Sequence, residues 1–253
     1  MRIIISPAKK MKTDTDFLGC RRLPQFLSES EALLALLKKL SDEELKSIWK
    51  CNDAIAALNV ERIRNMNLTR SLTPALMSYE GLQYQYMAPG VLQTGELEYL
   101  QQHLRILSGF YGMLRPLDGV VPYRLEMQAK LDGAGFDSLY EFWNRKLADQ
   151  LFSESGCILN LASKEYSKCI SPYLGADIQM VTCVFGQQIG GKVIEKATPA
   201  KMARGEMVRF MAERQIGCVE DIKGFTGLDF GFADGLSNES TYVFLQKSHG
   251  RKG

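Results

Sequence analysis

Apolar residues form a continuous run at the start of the chain and then recur with the periodicity of an α-helix. Residues 2–6 are mostly β-branched and apolar, which predicts a buried first strand that ends before Pro7. Over residues 23–40 the apolar positions, such as Leu33 and Leu37, recur at helical spacing and predict a first helix.

Two more helix starts follow in quick succession. Residues 41–44, with the sequence Ser-Asp-Glu-Glu, form a capping box that predicts a short second helix. Asn52 and Asp53 are favourable cap residues for a third helix over residues 54–66. Residues 23–66 are therefore expected to form a helical cluster with tight connections.

The later part of the chain mixes helical and strand-like spacing. Helices are predicted at 97–107, 138–152 and 198–214, and strands at 157–162, 178–187, 193–197 and 241–245. Gly190 and Gly191 separate two of these strands and favour a hairpin. Strands that alternate with helices early and pair late predict an α/β fold, with a mixed sheet enclosed by helices. No linker-like stretch divides residues 1–253, so a single domain is expected.

Composition excludes several classes of protein. The 253 residues are 45% hydrophobic and 24% charged, as in folded globular domains. No apolar run approaches the roughly 20 residues of a membrane helix, and three lysines interrupt the apolar start, so a cytosolic protein without membrane contact is expected. Six scattered cysteines and two histidines lack the close pairs of a zinc site, so neither a metal nor a cofactor is expected.

The net charge of +2 means that a polyanion would need a local basic patch. Residues 1–22 contain six Lys or Arg and two Asp, which fits either such a patch or a solvated charge run. Ser6, Lys9 and Lys10 lie at the C-terminal end of the predicted first strand, where α/β proteins collect ligands, and suit a phosphate. A Ser–Lys nucleophile pair is the other interpretation, and the glycines of a Walker loop are missing.

Residues 103–127 are the densest charged and aromatic segment. They include Arg105, Arg115, Arg124, Tyr111 and Tyr123 together with Asp118 and Glu126. Arginines with aromatic neighbours suit phosphate binding and base stacking. The alternative is an internal network of arginines and carboxylates that fixes a long loop.

A third charged segment lies on the last predicted helix. Lys201, Arg204 and Gly205 share one helical face. Because glycine inside a helix costs about 1 kcal/mol relative to alanine, something is expected to approach closely there. Another helix and a ligand are equally good candidates.

Five segments, in this order and at this spacing, resemble the YaaA family of bacterial peroxide-stress proteins. They are ISPAKK at 5–10, HLRILSGFYGMLRPLDGVVPYRLEM at 103–127, LYEFWNRKL at 139–147, NLASKEY at 160–166 and ARGEMVRF at 203–210. The resemblance implies a cytosolic protein that limits iron-dependent DNA damage during peroxide stress. It also implies an α/β body with a basic cleft for double-stranded or distorted DNA.

Carried over to this sequence, the resemblance suggests a set of residues that bind DNA phosphates. The set is Lys9, Lys10, Arg105, Arg115, Tyr123, Arg124 and Arg204. It further implies a helix-hairpin-helix element, for which residues 40–66, the favoured location, offer two short helices but no glycine in the turn. Residues 107–112 have the glycines, with one residue too many between them. This element would present backbone N–H groups to a phosphate.

Two hypotheses follow for the function. The first is a DNA-binding protein of the oxidative-stress response whose binding depends little on base sequence. The second is an enzyme that acts on a small phosphorylated or nucleotide-like substrate in the same cleft. Its acid–base set would come from Ser6, Lys9, Tyr123, Glu126, Ser163 and Glu165. Common motifs such as G-x-S-x-G, HExxH and GxGxxG are absent from the sequence, so no reaction is specified.

Overall fold

A mixed sheet forms the centre of the molecule, and the computed structural model describes residues 1–16, 18–131 and 135–247. The strands of the molecule are β1 (Arg2–Ile5), β2 (Lys10–Met11), β3 (Thr73–Pro74), β4 (Tyr79–Glu80), β5 (Leu104–Ser108), β6 (Gly112–Leu114), β7 (Gly119–Val120), β8 (Cys157–Asn160), β9 (Gln179–Ile189), β10 (Lys192–Ile194), β11 (Phe230–Phe232) and β12 (Thr241–Gln246). Its helices are α1 (Leu27–Leu37), α2 (Asp42–Trp49), α3 (Asp53–Asn65), α4 (Ala75–Ser78), α5 (Leu82–Met87), α6 (Thr94–His103), α7 (Leu139–Trp143), α8 (Lys146–Glu154), α9 (Lys164–Ser167) and α10 (Ala197–Glu213).

The order of the strands defines the topology. Over the described residues the main sheet has eight strands in the order β11-β12-β9-β8-β1-β5-β6, with β10 paired to β9. The five central strands, from β12 to β5, are parallel, whereas β6, β10 and β11 pair antiparallel. This is a single-domain α/β fold with a mixed sheet flanked by helices, as predicted. Two small antiparallel pairs, β2 with β4 and β3 with β7, lie outside this sheet.

The first strand is the middle of the sheet because its sequence suits burial on both faces. Ile3, Ile4 and Ile5 are fully buried. A continuous β-branched run of this kind is typical of a parallel strand that is covered on each side. Ile4 pairs with Arg105 of β5 on one side and with Asn160 of β8 on the other. The predicted strands at 2–6 and 157–162 are both confirmed.

The predicted helix caps are also confirmed. The side chain of Ser41 accepts a hydrogen bond from the N–H of Glu44 at 3.2 Å, and the Glu44 carboxylate accepts from the N–H of Ser41 at 2.7 Å. Asn52 caps α3 by accepting from the N–H of Ile55 at 3.0 Å. Each cap satisfies donors that the first turn of a helix leaves unpaired.

Two predicted helices differ in the structure. The helix predicted at 97–107 ends at His103, and the remaining residues form β5, because a short apolar run fits a buried strand as well as a helix. The helix predicted at 138–152 is broken at Asn144, whose φ of 42° lies in the left-handed region. The hairpin predicted around Gly190 and Gly191 is confirmed, since both glycines have positive φ and join β9 to β10.

Gly205 marks the closest approach of two helices. A Cβ atom at this position of α10 would overlap the backbone carbonyl of Gln83 on α5. Another helix and a ligand were the two candidates for the close approach at Gly205, and the structure shows a helix there. The contact lies directly after Arg204, the residue that precedes this glycine.

Replacement of Gly205 by alanine is expected to destabilise the protein by about 1–3 kcal/mol, because the added methyl group forces α5 and α10 apart. The measurement is the free energy of urea-induced unfolding. Gly95→Ala is the matched control, since a Cβ on that glycine of α6 meets no atom within 4 Å. Equal stability of the two variants would contradict the packing described here.

Candidate functional site

A cleft opens at the carboxyl ends of two neighbouring parallel strands, β1 and β8. Chain order across the five parallel strands is 2-1-3-4-5, and such sheets bind ligands beyond the carboxyl ends of the strands at the point where the order reverses. That point lies between β1 and β8. The cleft is lined by residues 6–10, 80–84, 123–126, 163, 165, 166, 201 and 204.

Two serines meet at the base of this cleft. Ser6 follows β1 directly, and Ser163 comes shortly after β8. The Ser6 hydroxyl donates to Oγ of Ser163 at 3.2 Å and accepts from the N–H of Ser163 at 2.9 Å. Tyr84 donates to the carbonyl of Ser6 at 3.0 Å and so fixes the start of the loop. The hydroxyl proton of Ser163 has no acceptor among the described residues.

Unpaired hydrogen-bond donors concentrate around the cleft. In the described part of the chain four buried side-chain nitrogens lack a partner, and three belong to residues that line the cleft. They are Nε2 of Gln83, Nε of Arg124 and Nε of Arg204, while the fourth is Nε1 of Trp49. A buried donor without an acceptor is costly, so native proteins rarely retain one without a reason. A bound acceptor such as a phosphate oxygen would remove this cost.

Ion pairs hold the cationic side chains at the mouth of the cleft. Nζ of Lys9 lies 3.0 Å from Glu126, and Nζ of Lys10 lies 3.1 Å from Glu80. Lys201 has no carboxylate within 4 Å over the residues described. Pairs made by exposed lysines contribute only about 0–1 kcal/mol, so an arriving anion can replace the carboxylate. Lys9, Lys10 and Lys201 are called the rim lysines below.

The two arginines of the cleft lie deeper than the lysines. Arg124 is paired with Glu126 at 3.3 Å, and Arg204 with Glu195 at 2.8 Å. Only about a tenth of each arginine side chain is exposed. Each guanidinium keeps its Nε donor free of protein acceptors, as described above.

Two carboxylates balance part of this positive charge. Glu126 and Glu165 both line the cleft. Burial raises the pKa of Glu165, and the neighbouring Glu126 raises it further, against the lowering effect of a hydrogen bond from the N–H of Gln128. The cleft therefore offers acceptors and a titratable carboxyl group beside its donors.

Tyr123 forms the floor of the cleft. Its ring stacks on Phe110 with centroids 5.1 Å apart, and its hydroxyl bonds to Ser108 at 2.6 Å and to Tyr79 at 2.9 Å. Burial raises the pKa of Tyr123 to about 12. Because ring and hydroxyl are both used within the protein, Tyr123 shapes the site and offers no free face for base stacking.

Arg105 and Arg115 lie outside the cleft, contrary to the expectation that they join it. Arg105 is 2% exposed and donates from Nε to Glu154 at 2.8 Å. Arg2 and Arg115 reach the same carboxylate at 2.9 and 3.4 Å. Three arginines thus converge on Glu154 of α8, in a network of the kind considered as an alternative, although this carboxylate and Arg2 lie outside residues 103–127. The structure brings together the other five residues of the predicted set, Lys9, Lys10, Tyr123, Arg124 and Arg204.

Some features of the site had no clear sequence signal. Gln83 was not predicted, although the helical Gly205 that packs on its backbone indicated a close approach nearby. The helix-hairpin-helix prediction is not confirmed. At the start of α3 the side chain of Asn52 occupies a backbone N–H, and Asp53 places a carboxylate beside it.

Together the fold and the cleft define a class: an α/β protein with an open, largely parallel sheet and a polar cleft, lined by cationic side chains, at its switch point. The model of the family described as "Peroxide stress protein YaaA" matches residues 1–236, and the chain belongs to this family. The predicted resemblance is confirmed.

Full-length relatives agree with this membership. A UPF0246 protein of Lachnoclostridium phytofermentans is 57% identical over 246 residues, which cover 97% of this chain and 96% of the relative. Similar proteins of Agathobacter rectalis and Pediococcus pentosaceus are 53% and 49% identical, and the matches cover at least 97% of each chain. Among the described residues no helix is long and apolar enough to span a membrane, and no three His, Cys, Asp or Glu residues are grouped as a metal site.

The arginine network around Glu154 has a measurable consequence. Glu154→Gln is expected to lower the free energy of unfolding by about 3–5 kcal/mol, because the arginines lose the carboxylate that compensates them. Chemical denaturation at neutral pH measures this. Glu31→Gln, at an exposed site on α1, is the control and should change stability by less than about 0.5 kcal/mol.

The same network predicts a pH dependence of stability. Burial alone would raise the pKa of Glu154, but hydrogen bonds from Arg105 and Arg2 outweigh it and lower the pKa from 4.5 to about 2. The stabilisation is complete above pH 4.5 and is lost as the pH falls towards 2, since the unfolded state then binds the extra proton. The Glu154→Gln variant should lack this part of the acid dependence. An identical slope in both proteins would contradict the assignment.

Proposed function

We propose that this member of the peroxide-stress family binds DNA through the switch-point cleft and so limits iron-dependent DNA damage. One observation carries the proposal: buried arginines with unpaired Nε donors lie behind a rim of exposed lysines in the same cleft. Guanidinium donors and lysine ammonium groups are the groups that proteins use for phosphate.

The charge of the cleft supports the proposal. Five cationic side chains line it against three carboxylates, in a protein whose net charge is only +2. The positive charge is therefore concentrated at the site of a predicted ligand. Polyanion binding releases counterions from the phosphates, and a local patch of this kind is sufficient for it.

The arrangement favours contacts to the DNA backbone over contacts to base edges. The rim lysines are exposed point charges, so they suit phosphates along the outside of a duplex. Phosphate contacts position a protein without reading sequence, and binding should depend little on base composition. Damage by iron and peroxide would be limited where the protein covers the backbone.

An affinity series against salt is the central test. The logarithm of the association constant for a duplex is expected to fall linearly with the logarithm of salt concentration, and each rim lysine replaced by alanine should reduce the slope by about 1. Fluorescence anisotropy with Lys9→Ala, Lys10→Ala and Lys201→Ala measures this. Lys39→Ala, an exposed lysine outside the cleft, is the control and should keep the slope. Absent binding, or binding that is flat with salt, would contradict the proposal.

A second candidate function is catalysis on a small phosphorylated or nucleotide-like substrate. The observation that favours it is the pair of carboxylates, Glu126 and Glu165, beside the two hydrogen-bonded serines. A carboxyl group with a raised pKa next to a phosphate site is a plausible general acid or base. Saturable turnover of a nucleotide, abolished by Arg124→Ala and preserved in Lys39→Ala, would establish this function in place of simple binding.

A further inference from the structure

We propose that the interior of the cleft binds a single nucleotide unit, one phosphate with its nucleoside, while the rim lysines hold the flanking backbone. The inference rests on the proposed DNA binding and names what enters the site. The same chemistry has two sources: an extrahelical nucleotide of a distorted duplex, or a free nucleoside monophosphate.

Size is the first argument. The cleft encloses about 350 Å³, near the lower end of the range of about 300–1,000 Å³ that holds small-molecule ligands. A duplex does not fit inside, since its major groove alone is about 12 Å wide. A duplex that lies on the rim can therefore contact the buried arginines only if one of its nucleotides enters the cleft.

The buried donors define where the phosphate would lie. Gln83 of α5 and Arg204 of α10 line the same cleft, the two helices pack together at Gly205, and each of the two side chains keeps an unpaired N–H. The hydroxyl of Ser163 adds a donor at the end of β8. These donors come from three separate elements, and an oxyanion is the ligand that accepts from several of them at once.

The remainder of the lining distinguishes a nucleotide from a bare phosphate. Glu126 and Glu165 would repel a second anionic oxygen but accept hydrogen bonds from a sugar hydroxyl or an exocyclic amino group. Pro7, Leu82 and Leu125 supply apolar walls that inorganic phosphate would not use. A mixed site of this kind fits a ligand that is anionic at one end and a neutral, hydrogen-bonding ring system at the other.

Extrusion of a nucleotide from a duplex costs unstacking and unpairing free energy, and this cost is smallest where the base is already unpaired. The interior site thus predicts a preference for distorted DNA that arises from the site itself. Rim contacts alone would treat paired and distorted duplexes alike, because both present the same phosphates.

The experiment uses the full chain and three probes. A hairpin duplex with one unpaired 2-aminopurine reports extrusion through its fluorescence, and a fully paired duplex of the same sequence is its reference. Nucleoside 5′-monophosphates and inorganic phosphate are titrated as competitors. We expect the unpaired duplex to bind about tenfold more tightly than the paired one, with a change in 2-aminopurine emission. Monophosphates should displace it at concentrations about tenfold below those of phosphate.

Variants separate the interior from the rim. Ser163→Ala and Arg204→Lys are expected to remove most of the preference for the unpaired duplex and most of the binding of monophosphates. Lys201→Ala, one turn from Arg204 on α10, should weaken both duplexes equally and leave the preference intact. Because Ser163 is partly exposed and its hydroxyl donates to no group among the described residues, its replacement keeps the test valid if Arg204→Lys fails to fold.

The outcomes distinguish the two proposals. Salt-dependent binding of both duplexes with equal affinity, unaffected by monophosphates, would overturn the nucleotide site and leave DNA binding standing. Tight binding of monophosphates without duplex binding would support the nucleotide site with a free ligand and overturn the DNA proposal. Competition by phosphate and monophosphates at equal concentrations would reduce the interior to a phosphate site and overturn the inference.

Discussion

Parallel pairing of β1 with β5 on one side and β8 on the other is the constraint on which the rest of the molecule depends. It forces the chain to reverse its direction of winding at β1, so the loops after β1 and β8 diverge and leave a gap between them. Ser6 and Ser163 bridge the base of this gap. The position of the cleft is therefore a consequence of backbone hydrogen bonding, and the charged side chains determine only the chemistry of its lining.

The distribution of arginines shows how a nearly neutral protein builds a local basic site. Arg105 of β5, Arg115 directly after β6 and Arg2 of β1 all pair with Glu154, away from the cleft. Burial lowers the pKa of Arg105 to about 10, and the hydrogen bond to Glu154 opposes this lowering, so the guanidinium remains charged at physiological pH. Arg124 and Arg204, by contrast, each share a carboxylate and keep one donor unused. The arginines of the Glu154 network and those of the candidate site thus differ in how completely the protein satisfies their hydrogen-bond donors.

Much of the fold could be predicted because it depends on local signals. The isoleucines of β1, the capping box of α2 and the glycines of the β9–β10 turn each act through neighbouring backbone atoms. The strand, the helix start and the hairpin that they predict are all confirmed. The α6–β5 boundary could not be placed, since a five-residue apolar run fits either structure and only pairing with β1 decides it.

Side-chain partnership is a different problem, because it depends on which residues the tertiary fold brings into contact. Arg105 and Arg124 look equivalent in the sequence, each an arginine amid apolar and aromatic residues. Arg105 lies on a central strand beneath α8, where desolvation makes a carboxylate necessary, and Glu154 is 49 positions away. Arg124 lies in the loop of residues 123–126, which lines the cleft. There an anionic ligand can be the acceptor that Glu154 is for Arg105. The role of an arginine in such a fold thus depends on the acceptors that its surroundings provide. Arginines whose donors remain unpaired mark the candidate site.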